Sequence, residues 1–215
     1  MENYDAVVKL IVEALQANLT TDKKDIAEEI PVGISNRHIH LSQADLNQLF
    51  GEGYQLTKIK ELSQPGQYAC KEMVTVCGPN GAIEKVRVLG PVRNKTQVEI
   101  LEGDCYKLGV TTLTKLSGDL QGTRGITIIG SKGSVQTTEG LIVAQRHIHM
   151  TTEDAKHFGV YDGQVVSIQI NSLRGGIYNN VVIRANDTSA LECHIDTEEA
   201  NAMKVDSLTK IKLIK

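Results

Sequence analysis

The tetrapeptide Arg37-His38-Ile39-His40 recurs, about a hundred residues further on, as Arg146-His147-Ile148-His149, and this repetition constrains the fold more than any other feature. The two copies hold four of the six histidines in the chain. A fifth, His194, stands in His194-Ile195-Asp196, a stretch of the same shape with a carboxylate where the second imidazole was. Side chains alternate faces along a β-strand, so His-Ile-His sends both imidazoles to one side and the isoleucine to the other. One face can bind while the opposite face packs.

The residues immediately after each copy place it at a strand end. Ser42 precedes Gln43-Ala44-Asp45, Thr151 precedes Thr152-Glu153-Asp154, and Thr197 precedes Glu198-Glu199-Ala200. Each is read as a hydroxyl cap with carboxylates in the first helical turn. Phe50-Gly51 and Phe158-Gly159 supply a glycine where such helices should end. The unit is therefore strand, His pair and capped helix, and its recurrence predicts two related lobes.

Beyond Pro31 the chain is dominated by short β-branched runs bounded by Gly, Pro or Asn: Met73–Val76, Glu84–Leu89, Thr96–Leu101, Ile126–Ile129, Val165–Ile170 and Val181–Ile183. Few helices interrupt them, which suggests barrels or sandwiches and argues against a doubly wound sheet. The expected fold is mainly β: two small β-barrel domains with short capping helices, preceded by an N-terminal amphipathic helix. Residues 1–20 form that helix in this reading, with Val8, Ile11, Val12, Leu15 and Leu19 at helical spacing. Residues 21–30 form a polar linker, residues 31–36 with 145–215 the first barrel, and residues 37–144 the second.

Bulk properties exclude several function classes. The net charge is −3, with Lys and Arg dispersed, so nothing argues for nucleic acid. There is no apolar run of membrane-spanning length and no secretory signal pattern. Cys70, Cys77, Cys105 and Cys193 form no CxxC and no tight framework, which fits reduced thiols in the cytoplasm. Cys193 adjoins His194 and should point away from any site, because neighbours on a strand face opposite ways.

Imidazoles with carboxylate but without clustered thiolates suit zinc. Five of them exceed the three protein ligands usual at one catalytic zinc, so two metals are expected. Glu99, which shares a strand face with Gln97 while Val98 and Ile100 take the other, is the candidate carboxylate. Arg93, in the turn Gly90-Pro91-Val92-Arg93-Asn94-Lys95, carries a planar fork that matches phosphate oxygens. The glycine-rich run from Gly122 to Gly133 lacks the P-loop order and reads either as an anion-binding backbone or as hairpin turns.

Ser35-Asn36-Arg37-His38-Ile39-His40-Leu41-Ser42, Val88-Leu89-Gly90-Pro91-Val92-Arg93 with Thr96-Gln97-Val98-Glu99, Gln145-Arg146-His147-Ile148-His149-Met150 and His194-Ile195-Asp196 resemble the phosphate propanoyltransferase family, a metal-dependent phosphotransacylase family associated with 1,2-propanediol utilisation. The resemblance spans residues 31–215. It implies two zinc ions, with His38 and His40 on one, Glu99, His147, His149 and His194 on the other, and Arg93 on phosphate. It further implies that propanoyl- or acetyl-CoA plus phosphate interconverts with acyl-phosphate plus coenzyme A; direct transfer is preferred to an acyl-enzyme, because no serine or cysteine lies beside a histidine with an obvious orienting carboxylate. In the family an N-terminal amphipathic extension can act as an address for the lumen of a bacterial microcompartment, which would make its shell or enzyme core a partner; a homo-oligomer is compatible with the sequence. Thr152 and Ser131 stand where the family pattern has proline, which bears on loop geometry. The rival readings are a binuclear zinc hydrolase acting on a thioester or related substrate, and a zinc-dependent binding module.

Overall fold

In the run Val165–Ile170 the residues Val166, Ile168 and Ile170 are buried while their neighbours are not, as period-two alternation requires of a strand with one face on a core. A computed structural model describes residues 29–206 and 208–215. The helix expected over residues 1–20, and the expected linker as far as residue 28, lie outside the described residues. In chain order the elements are β1 (Ile30–Ser35), β2 (His38–His40), α1 (Gln43–Phe50), β3 (Lys58–Glu61), β4 (Tyr68–Cys77), β5 (Ala82–Gly90), β6 (Gln97–Ile100), α2 (Glu102–Leu108), β7 (Leu113–Lys115), β8 (Thr127–Ile129), β9 (Ser134–Gln136) and β10 (Leu141–Ala144). They continue with β11 (His147–Met150), α3 (Thr152–Phe158), β12 (Val165–Ile170), β13 (Gly176–Ala185), β14 (Glu192–Asp196), α4 (Thr197–Met203) and β15 (Lys210–Ile214).

The mainly β fold expected from the sequence is what forms, in two sheets of different closure. Six strands, in the order β1-β14-β11-β13-β12-β15, make a closed barrel, with β15 returning to pair with β1. The others make a half-barrel sheet, β7-β10-β6-β2-β5-β4-β8-β9, with β3 alongside β4. Each sheet has its own apolar core, one around Ile39, Leu46, Val86 and Val98 and the other around Ile148, Ile168, Ile183 and Ile195. Ile39 and Ile148, the central residues of the two His pairs, are both fully buried in these cores. Burying each contributes about 1.5–3 kcal/mol. That packing fixes β2 and β11 in rotation and so points both imidazoles of each pair the other way.

The chain crosses between sheets twice, each time through a dipeptide ending in the arginine of the repeat. Asn36-Arg37 carries it from β1 in the barrel to β2 in the open sheet, and Gln145-Arg146 carries it from β10 back to β11. Arg37 Nε donates to Asp104 Oδ2 at 2.7 Å and Arg146 Nε to Glu199 Oε1 at 2.7 Å. Both acceptors are the third residue of a helix, α2 and α4 respectively, and each also accepts from the backbone N–H of the residue capping that helix. The repeated arginine thus anchors each crossover to a helix start.

Ser42 and Thr151 cap α1 and α3 through the Asp45 and Asp154 N–H groups, as expected, and Gly51 and Gly159 end these helices. At α4 the expectation is corrected. The cap is Asp196, whose carboxylate accepts from Glu199 N–H, while Thr197 is already helical and donates to Ser35 O. Asp outranks Thr as a cap, and the Thr197 hydroxyl is left free to tie the helix start to β1. The glycine-rich run forms turns around the β8–β9 hairpin; at Gly125 an added Cβ would lie 1.8 Å from Thr137 O, so only glycine fits.

Candidate functional site

Register places the site. In the open sheet β2 lies between β5 and β6, with His38 opposite Glu99 and His40 opposite Gln97. In the barrel β11 lies between β13 and β14, with His147 opposite His194 and His149 opposite Glu192 and Arg184. Paired residues on adjacent strands share a face. Two trios result, His38, His40, Glu99 and His147, His149, His194, and within each the potential ligand atoms lie within 4.8 Å of one another. Glu99 therefore groups with His38 and His40, its Oε2 lying 3.4 Å from His38 Nε2, and not with the three histidines beside which the resemblance put it.

The donors are arranged as metal ligands. His38 Nδ1–H donates to Asn36 O and His147 Nδ1–H to Gln145 O, both at 2.8 Å, which leaves each Nε2 lone pair facing inward. His147 Nε2 and His149 Nε2 stand 3.1 Å apart. Three nitrogens around a tetrahedral zinc at ~2.0–2.1 Å are themselves separated by roughly 3.3 Å. The Nδ1 atoms of His40 and His149 are buried with no hydrogen-bond partner. Each such orphan costs about 1–3 kcal/mol, so these two rings, unlike those of His38 and His147, have no hydrogen bond at Nδ1 to hold them. The residues present fit zinc.

Electrostatics agree. Burial, reinforced by the neighbouring imidazoles, pushes His147 down to about 4 and His149 to about 3, and lowers His40 well below the ordinary imidazole value. These three are neutral near pH 7, the form that ligates. Burial opposes ionisation of both His38 and Glu99, but their mutual attraction outweighs it: His38 is raised and Glu99 is held far below the usual carboxylate range. Gln97 Nε2 donates to Glu99 Oε1 at 2.6 Å and to Ser117 Oγ at 2.8 Å, locking the carboxylate.

Both trios open on one cavity of about 650 Å³ that also receives Arg93, Ser117, Arg184 and Glu192. Arg93 is half-buried; its backbone N–H donates to the carbonyl of Leu41, just after β2, at 2.9 Å and its Nη1 to Ser117 Oγ at 3.0 Å, so its backbone is held at the end of β2 and its guanidinium is steered from the turn after β7. Glu192 accepts from Ser63 Oγ and pairs with His194 Nε2 at 2.5 Å. Gln64, next in that loop, donates to Ala190 O at 3.1 Å and accepts from Ala190 N–H at 3.2 Å, tying the β3–β4 loop to the barrel. Sequence reasoning missed Ser117, Arg184 and Glu192. Only the folded arrangement brings them in, although Glu192, two residues before His194, was open to the same alternation argument. The glycine-rich run does not line the cavity. Cys193 is fully buried in the barrel core, as alternation requires, and burial pushes its thiol up to about 12.

Two imidazole-rich trios and four arginines, Arg37, Arg87, Arg93 and Arg184, line one cavity between a closed and an open sheet, an enzyme-like site whose donors could hold metal ions and an anion. The family model for phosphate propanoyltransferase matches residues 31–206. Relatives named phosphate propanoyltransferase include that of Thermotoga maritima, 55% identical over 83% of this chain and 85% of its own. Those of Rhodobacter capsulatus, 47% identical over 96% of each chain, and Clostridioides difficile, 48% identical over 96% of this chain and 98% of its own, carry the same name. The chain belongs to the phosphate propanoyltransferase family, a family of acyltransferases. Among the described residues no helix is long and apolar enough to cross a membrane.

Proposed function

We propose that the protein is a zinc-dependent phosphotransacylase, interconverting propanoyl- or acetyl-CoA plus phosphate with acyl-phosphate plus coenzyme A. The observation that carries this is the convergence of two metal-capable trios and Arg93 on one cavity, in a chain whose relatives bear the name of that activity. His38, His40 and Glu99 would hold one zinc, and His147, His149 and His194 the other. Zinc bound there supplies Lewis acidity toward the acyl carbonyl and lowers the pKa of the coenzyme A thiol.

The chain's own residues do the rest. Arg93, its backbone held by Leu41 O and its guanidinium by Ser117 Oγ, presents its fork to phosphate and aligns one oxygen on the thioester carbonyl. The oxygen–carbon bond forms, the carbon–sulfur bond breaks, and the sulfur departs with the electron pair as the coenzyme A thiolate. The Nδ1–H bonds of His38 and His147 to backbone carbonyls keep both rings in one tautomer throughout. Direct transfer is favoured over an acyl-enzyme, because Cys193 lies in the barrel core with its thiol pushed up to about 12 and Cys70, raised to about 11, lies in the other core.

The test mixes protein, zinc, propanoyl-CoA and phosphate and follows coenzyme A release. Release that requires phosphate is expected; release without phosphate would indicate a hydrolase, and none a binding module. Residues 1–20, by their apolar spacing, are proposed as an address for a microcompartment shell or enzyme core. Their deletion should leave turnover unchanged and abolish co-purification with such a partner.

A further inference from the structure

The structural repeat gives each cavity residue a counterpart in the other sheet. β2 runs parallel to β5 with His38 opposite Arg87 and Ile39 opposite Val88, which continues to Leu89 beside His40. β11 runs parallel to β13 with Ile148 opposite Ile183 and His149 opposite Arg184. Leu89 and Arg184 therefore occupy equivalent positions, and both line the cavity. One lobe has an apolar side chain there and the other a cation.

Arg184 is half-buried and, among the described residues, makes no hydrogen bond or ion pair through its side chain. The carboxylates in the cavity wall are engaged elsewhere: Glu99 with His38 and Gln97, Glu192 with His194 and Ser63, and Asp196 with the start of α4. Of the other guanidinium groups lining this space, Arg37 is paired with Asp104, Arg87 donates to the Cys70 and Lys71 carbonyls, and Arg93 donates to the Ser117 hydroxyl. Arg184 is near enough to oppose the charge of Arg93 and of both histidines of β11. Among the described residues Arg184 has no counter-charge, and Arg93 has only the attraction of Glu99, a carboxylate already engaged by His38 and Gln97; two partly desolvated cations so placed, one from each sheet, call for a further anion between them.

We propose that Arg184 is a second phosphate-binding residue, gripping the phosphoryl group from the barrel side as Arg93 does from the open sheet. This rests on the phosphotransacylase reading and deepens it. The diphosphate of coenzyme A is the competing anion, but the pantetheine arm separates it by many bonds from the sulfur, whereas Arg184 stands one strand from His149, at the reacting end. A dianion held by two forks from two sheets is fixed in both position and orientation, as in-line attack on the carbonyl requires.

The experiment compares zinc-loaded wild type with Arg184→Leu, which copies the other lobe, and Arg184→Lys, which keeps the charge. Loss of one charge-assisted contact should raise the KM for phosphate by roughly tenfold or more in Arg184→Leu and by less in Arg184→Lys. The KM for propanoyl-CoA should stay within about twofold, and calorimetric titration with inorganic phosphate should weaken in parallel. Unchanged zinc content and melting temperature certify the fold, and Arg184→Lys decides the matter where Arg184→Leu does not fold. An unchanged phosphate KM and phosphate affinity, or a rise confined to or equal for propanoyl-CoA, overturns the proposal. Wild-type protein with no phosphate-dependent release would bring down the activity itself, whereas wild-type release with normal phosphate KM in the variants brings down only the role of Arg184.

Discussion

The open sheet and the barrel present the same tetrapeptide on a central strand, flanked by one parallel and one antiparallel neighbour, yet they surround it differently. Opposite the first histidine stands Glu99 in the open sheet and His194 in the barrel; opposite the second stand Gln97 and Glu192. On the far side of the antiparallel neighbour Ile142 pairs with Glu99, where Gly33 pairs with His194. The backbone scaffold is shared, and the chemistry is set by which side chain each register position receives. One trio is charged, with Glu99 and His38 stabilising each other, and the other is an all-imidazole trio whose β11 pair is neutral near pH 7. A site assembled from two such unlike halves can treat the two ends of a transferred group differently.

The largest effect expected from breaking this comparison comes from His147→Ala. Loss of a neighbouring supporting group at a metal site already costs about 10–100-fold, so loss of a ligand should reduce phosphate-dependent release by more than about a hundredfold. Zinc by elemental analysis should fall from about two per chain to about one. His38→Ala should do the same from the other side, and full metal content with full activity in either would end the two-site reading.

Glu99→His makes the open-sheet trio resemble the barrel trio. Zinc should be retained, because three imidazoles are a competent set, while turnover falls by about tenfold or more as the anionic ligand is lost. Wild-type turnover would show that the asymmetry is incidental. Arg93→Lys keeps charge but loses the fork; the KM for phosphate should rise several-fold, with that for acyl-CoA little changed, and equal effects on both would make Arg93 structural.

The smallest effect is expected at Gly33. An added Cβ would stand 2.7 Å from Glu192 Cδ and 3.0 Å from His194 Cδ2, so Gly33→Ala must displace the Glu192 carboxylate. Because the obstacle is the end of a side chain that can shift without leaving the site, the melting temperature should hardly move, while zinc affinity at the barrel trio falls by about twofold. Unchanged affinity would mean that Glu192 does not orient His194.

How much of this was legible in the sequence depends on the range of the signal. The His pairs were legible because period two is local and because the repeat shows it twice; burial of Ile39 and Ile148 is the other half of the same pattern. Glu99 was legible from alternation within its own strand, but its grouping was not, since that depends on which strand lies beside β2. Arg184 was invisible for the same reason: it is separated from His149 by 35 residues of chain and brought opposite it by pairing. Closure was also beyond reach. It rests on β15 returning to β1, and Lys210–Ile214 carries the alternation of an ordinary strand without naming its partner. The edge strand β3, Lys58-Ile59-Lys60-Glu61, is exposed throughout, and its single apolar residue among three charged ones gave too weak a signal to mark a strand.

The double crossing of the chain governs the order in which the molecule can be assembled. Among the described residues β1 pairs only with β14 and β15, Ser35 lying opposite Asp196, so this strand of the barrel waits for partners synthesised after the whole open sheet. The open sheet, by contrast, is complete once β10 is made, and a growing chain emerging from the ribosome can fold it as a unit. His38, His40 and Glu99 then stand together before any of the barrel trio exists, while closing the barrel bears the loop-closure cost of its most distant contacts. Pulse-labelled hydrogen exchange during refolding should therefore find β4 and β5 protected before β1, and simultaneous protection would mean that the two sheets form as one cooperative body.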